Sequence, residues 1–326
     1  MRRISINILL VLILLLQSCL KEDRSMCKSW LLLRFRYTLN DQYTNLFGQE
    51  VHKVTVYVFD EHGKYVDRFS EQGSALTNDY VMRLPLPEGI YSIIAYGGDF
   101  TTYTAGELNP NNTLNNTLRP GITDISDFRI ELKNTNGLEN YLYPAATPDD
   151  LYAGFAAGAI AELNSGHITD VDLIKDTKQI IVRIINAPSA RMTTDAVISP
   201  FDVYITALNG RYLFDNNIDL NHTIYKYTPV STEIQSNYIE SNLKIMRLML
   251  GQLPMLVIRN NSTQEIIYNK NMVEQISQNP QYVTQEDFDR ENQFIFEITL
   301  PSENQGSEIG VSINGWKINN VFPDIE

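Results

Sequence analysis

Few residues in this sequence have the types and spacing that do chemistry. Its four histidines, His52, His62, His167 and His222, are expected on a strand, a turn and two loops, with no ligand spacing among them. Two cysteines, Cys19 and Cys27, are too few for a disulfide framework or a zinc cluster. Asp287, Asp289 and Glu291 alternate as in a calcium loop, but the loop's glycine and its distal bidentate glutamate are missing. We read them as a solvated turn ahead of a strand at Phe294, and Asp170 and Asp172 in the same way. The 39 acidic side chains allow many carboxylate pairs of the kind that hydrolyse glycosides, and none stands out. No Gly-x-Ser-x-Gly elbow, phosphate loop or dinucleotide fingerprint is present. The expectation is a non-enzymatic protein without catalytic residues, cofactor, metal or small-molecule substrate. With only 26 basic side chains the net charge is −13, which repels phosphate backbones, and no basic stripe offsets it. Nucleic acid is not an expected partner.

Cys19 is the exception. Arg2 and Arg3 precede an apolar stretch from Ile4 to Leu16, unbroken from Ile8. This is too short to cross about 30 Å of hydrocarbon as a helix and has the length of a secretory signal core. It runs into Leu16-Gln17-Ser18-Cys19, which resembles the bacterial lipobox. Residues 1–18 are then a signal peptide, cleaved between Ser18 and Cys19, and Cys19 is the lipid-attachment site, carrying acyl groups such as palmitate. One acyl chain holds a protein to a membrane only marginally, whereas two or more make attachment stable. Lys21-Glu22-Asp23 resembles the short signal that sends Bacteroidetes lipoproteins to the cell surface. Cys27 is expected to be a small buried residue at the start of the fold.

The elements that follow read as strands. Trp30 to Tyr37 alternates, with Leu31, Leu33, Phe35 and Tyr37 on one face. Val51 to Phe59 is apolar at successive positions, as a strand buried on both faces requires. Lys64 to Phe69 returns after the Asp60–Gly63 turn, and Tyr80 to Leu84 and Ile90 to Tyr96 continue the series. An Asn-rich loop interrupts it between residues 101 and 125, and the small residues from Tyr143 to Gly158 leave room for a short helix. A second β series begins near Val171 and ends at Trp316, with Asn209-Gly210 as the strongest hairpin signal. Five glycosylation sequons, at Asn111, Asn115, Asn221, Asn260 and Asn261, are read as chance products of composition. The 18 tyrosines are expected to fill the half-buried flanks of sandwiches rather than to pave a glycan-binding face. The expected division is a tether over 19–28, one β domain, sandwich or barrel, over 29–165 and another over 166–326.

Taken together these motifs resemble the Mfa2/FimB-type fimbrial anchor family of Bacteroidetes. The pieces are the lipobox at Cys19, Val54-Thr55-Val56-Tyr57-Val58-Phe59-Asp60, Leu86-Pro87-Glu88-Gly89-Ile90-Tyr91 and Leu151-Tyr152-Ala153-Gly154. Lys175-Asp176-Thr177-Lys178 and Val311-Ser312-Ile313-Asn314-Gly315-Trp316 complete the set. The resemblance implies an all-β fold of two tandem transthyretin-like sandwiches and no enzymatic activity. It also implies lipid attachment to the outer membrane, and fimbrial stalk or accessory subunits as partners. Ten residues follow Trp316, which leaves little room for a long donor segment and points to a terminal place in the polymer. Two other classes remain open: a surface glycan-binding lipoprotein of a nutrient-uptake system, and a secreted hydrolase on a β scaffold.

Overall fold

The alternation from Trp30 to Tyr37 forms the strand it predicts. In the computed structural model, which describes residues 29–137, 140–163, 166–187, 191–192, 197–301 and 309–318, β1 (Ser29–Arg36) buries Leu31, Leu33 and Phe35 completely. Ser18, Cys19, Lys21, Glu22, Asp23 and Cys27 lie outside the described residues. On the other face of β1, Arg34 and Arg36 each reach Asp170 at 2.6 Å. β1 pairs antiparallel with β4 (Val81–Leu84) and parallel with β9 (Ile168–Asp172), and its first two residues cross to β8 (Tyr152–Leu163). Opposite lies an antiparallel layer in the order β8, β5 (Gly89–Gly97), β2 (Lys53–Phe59), β3 (Tyr65–Gln72). Leu33, Phe35, Val54, Val56 and Ile93 fill the space between the layers.

β2 and β5 are buried on both faces, as their unbroken apolar runs demand. Tyr57, Phe59, Ile94 and Tyr96 look away from the first core towards β6 (Tyr103–Leu108) and β7 (Phe128–Leu132). The Phe128 ring centroid is 4.9 Å from Tyr57 and 6.3 Å from Tyr96.

The C-terminal half is a second sandwich. One sheet runs β17 (Ile266–Asn271), β16 (Met255–Asn260), β11 (Phe201–Ala207), β13 (Tyr225–Tyr227), then the short strands Leu142–Pro144 and Asn134–Asn136. The other runs β14 (Ser231–Ile234), β15 (Tyr238–Met246), β10 (Thr177–Ile185), β18 (Gln293–Thr299), β19 (Gly310–Ile313), β20 (Trp316–Ile318). Two short helices, α1 (Met272–Ile276) and α2 (Gln285–Arg290), pack Ile276 and Phe288 onto this core. Thr284 caps α2 through a reciprocal box with Asp287. The chain is thus all-β, as its periodicity led us to expect, and a pair of sandwiches, as the family resemblance implies.

Three expectations change. The interior of the second sandwich is continuous with the core behind Tyr57 and Phe128, and strand pairing crosses the expected division at 165. β9 follows that point but completes the first sandwich. Leu142 precedes it but pairs with Tyr225, and Arg211 of β12 (Arg211–Leu213) pairs with Glu131 of β7. A polar stretch tells where a chain can leave an element, not which strands will pair. Secondly, the small-residue segment holds no helix among the described residues; its second part is the twelve-residue β8. Its composition has a packing cause: a Cβ on Gly154 would stand 2.6 Å from the Asp172 carbonyl oxygen. Thirdly, Asn209-Gly210 does not close a hairpin, since β11 and β12 belong to different sheets. The Asn209 amide donates instead to the Met246 and Arg247 carbonyls, and a Cβ on Gly210 would meet the Tyr225 ring at 1.9 Å.

Candidate functional site

Lys175-Asp176-Thr177-Lys178 occupies the passage from the first sandwich into β10: Lys175 and Thr177 hold Asp150 of the first half, and Asp176 and Lys178 are bound within the second. The Lys175 ammonium lies 3.2 Å from Glu50 and 3.1 Å from Asp150, and Lys244 of β15 reaches the same Asp150 at 2.8 Å. The Thr177 hydroxyl donates to Asp150 at 3.1 Å. Lys178 is buried and donates to the carbonyls of Asp289 and Glu291, at 2.8 and 2.7 Å.

Asp176 is wholly buried and accepts from the Asn216 amide at 3.0 Å, while its second oxygen has no protein donor. Arg247 stands 3.9 Å from it and forks onto Asp289 at 2.6 and 2.5 Å. Burial pushes the Asp176 carboxyl up to about 7, against the pull of Arg247. Burial likewise draws the Lys178 ammonium down to about 8, against the opposing Asp289 and Asp176. Asp289 was expected in a solvated turn; it is 2% exposed and bound by Arg247. That error has a cause: its partner is 42 positions away. The available signal was Arg247 itself, one charge inside the run Ile245-Met246-Arg247-Leu248.

Above this junction runs an open polar groove of about 1060 Å³. Its floor is the outer face of the second sandwich, where Gln179 pairs in register with Lys244 on one side and Gln293 on the other. Asp41, Thr147 and Asp150 of the first half form the facing wall. A smaller space of about 380 Å³ adjoins it, sharing Asp41 and Glu291 and lined by Tyr43 and Arg290. Among the described residues no group of histidine, cysteine and carboxylate side chains could hold a metal ion. His62 is on an exposed turn, and His222 lies 3.2 Å from Glu131. Asp170 serves the two arginines of β1. The sheets end in β3, β4 and β9, in β17 and Asn134–Asn136, in β14 and β20, and in β12 and Leu114–Asn115. β3 bears Asp67, Arg68 and Glu71, charges of the kind that discourage casual edge pairing.

Two sandwiches on one core leave open sheet edges and a polar groove, the features with which a protein binds or assembles. A family model, the fimbrillin-A associated anchor proteins Mfa1 and Mfa2, matches residues 24–322, and the chain belongs to this family. The major fimbrium anchoring subunit FimB of Porphyromonas gingivalis ATCC 33277 is 26% identical over 169 residues, 51% of this chain and 50% of that protein. The chain therefore spans about half the length of the curated relatives it matches. A Bacteroides thetaiotaomicron VPI-5482 structure, provisionally assigned to polysaccharide binding, is 25% identical with a TM-score of 0.72. The match covers 88% of this chain and 96% of that one. The fimbrial anchor protein Mfa2 from P. gingivalis shares the fold at a TM-score of 0.69 and 17% identity, over 90% of this chain and 99% of that one.

Proposed function

We propose that this protein is a non-enzymatic anchor subunit of a surface fimbria, lipid-tethered to the outer membrane through Cys19 and joined to stalk or accessory subunits at a sheet edge. The observation that carries this reading is the family match over residues 24–322. The course of β1 supports it. Ser29 starts the strand beside Leu163 and donates its hydroxyl to the Leu86 carbonyl. Tyr37, just past its end, donates to Asn292 of the second sandwich at 3.2 Å. The tether side and the second sandwich thus lie at opposite ends of a strand about 26 Å long. From Cys19 to Trp30 an extended chain spans only about 36–40 Å. In this arrangement the first sandwich faces the membrane, and the second presents β14, β17 and β20 outward. Edge pairing draws its affinity from main-chain hydrogen bonds, so attachment is expected to be only weakly salt-dependent.

A deletion strain tests the anchor role: fimbriae should still polymerise but be shed into the medium, as seen by electron microscopy of cells and supernatant. Firmly attached fimbriae in that strain would defeat it. Metabolic labelling with a fatty-acid analogue should mark the wild type and not Cys19→Ala; equal labelling would remove the lipid tether from the reading.

A further inference from the structure

We propose that the groove between the sandwiches, together with the smaller space that adjoins it, binds a neutral oligosaccharide, with Tyr43 of the smaller space as the stacking platform. Tyr43 is 76% exposed and adopts φ 54°, a left-handed backbone that is a true outlier for a bulky side chain. Such strain persists only where the surroundings impose it, and here they do. Asn40, fully buried, donates its amide to the carbonyls of Tyr37 and Thr44 at 2.8 and 2.7 Å and accepts from the Gln42 amide. Asn45 accepts from the Tyr37 and Phe47 amides. The Arg290 guanidinium covers one side of the Tyr43 ring at 4.3 Å from its centroid. Arg290 also donates to the Asn40 carbonyl at 3.2 Å. With Arg290 on one side, the rest of the Tyr43 side chain stands in solvent.

The groove beyond it has the chemistry of a sugar site. Its volume, about 1060 Å³, lies at the upper limit of ligand clefts, which run roughly 300–1,000 Å³. Its charges cancel: Asp41, Asp150 and Glu291 against Lys175, Lys178 and Lys244. Of these lysines, Lys175 and Lys244 are already held by Asp150, and Lys178 by backbone carbonyls. The floor offers amides, Gln179, Gln293 and Asn242, which both donate and accept as hydroxyl groups require. Apolar lining is confined to Val230, Leu243 and Ile295, too little for the side-chain pockets of a peptide. A ring with an apolar face and many hydroxyls, and no charge, matches both the platform and the floor.

The full chain, applied to an array of neutral, sialylated and sulfated oligosaccharides and then titrated calorimetrically with the best neutral probe, gives the test. Neutral probes should be selected. Tyr43→Ala should weaken binding at least tenfold, Tyr43→Phe should stay within twofold of wild type, and Gln179→Ala with Gln293→Ala should weaken it severalfold. These side chains are at the surface, so unfolding midpoints should not move, and fimbrial attachment in cells should stay normal, which separates this site from the anchor role. Selection of acidic probes, no neutral probe bound, or binding indifferent to Tyr43→Ala would overturn the proposal.

Discussion

Asp176 shows how much one buried carboxyl can govern. Its folded pKa, about 7, lies above the ordinary value of 3.8, so between these limits the folded protein holds a proton that the unfolded chain has released. Stability from this group is full below pH 4 and is lost as pH rises towards 7. Lys178 acts in the opposite window: its pKa falls from 10.5 to about 8, so its penalty lifts as pH rises from 8 to 10.5. Asp176→Asn keeps the carbonyl that Asn216 binds and removes the ionisation. Its melting temperature should gain on the wild type steadily from pH 4 to pH 8, by an amount worth a few kcal/mol at about pH 7–8. A constant difference across that range would contradict the assignment. Arg247→Met should be far worse, about 3–5 kcal/mol, because buried Asp289 would lose the guanidinium fork and keep only the Gln285 amide on its side chain. Adding Asp289→Leu should recover much of that loss in urea unfolding, which a purely steric defect at Arg247 would not allow.

At the scale of elements, close backbone approach decides what each segment can be. Gly98 has φ 113°, and a Cβ there would come within 2.1 Å of the Asp150 carbonyl oxygen. Asp150 is the residue on which Lys175 and Lys244 converge. Gly98→Ala should therefore both destabilise the fold, by about 1–3 kcal/mol, and displace the groove wall. The check is paired: urea midpoints fall, and a probe that reports on the groove changes with them. Gly154→Ala has the same steric conflict on β8 but lies away from that wall, so it should lower stability alone. The secondary structure itself should give a β-type circular dichroism spectrum, with the short helices Phe47–Glu50, α1 and α2 contributing little.

For the whole molecule, the shared core sets the expectation. Apolar contacts run unbroken from Tyr57 and Phe128 to Ile205 and Phe296, and strands exchange across the midpoint of the chain. We expect one cooperative unfolding transition by calorimetry, with coincident loss of tyrosine and backbone signals. Fragments 29–165 and 166–326 should each fail to fold. The first loses β9 from the side of β1, and the second loses Leu142–Pro144 and Asn134–Asn136 from its sheet. Two separate transitions, or a stable fragment, would show that the halves are independent domains after all.

Local rules carried the reading a long way. Period-two alternation in Trp30–Tyr37 and the double-sided apolar run in Val51–Phe59 determined β1 and β2, because a strand's faces follow directly from residue order. The family resemblance was also legible, down to Lys175-Asp176-Thr177-Lys178, though not what that segment does. Only the tertiary structure decided that Asp289 meets Arg247, that Asn209-Gly210 separates two sheets, and that β9 belongs beside β1. Each is a contact between residues far apart in sequence, and ion pairing, ring packing and strand register depend on distance in space. Tyr43 lies on the same side of that line: its type was plain, but its exposed, strained pose comes from Asn40, Asn45 and Arg290 together. Composition determines what a chain can bury, and packing alone determines which polar groups are left facing a groove.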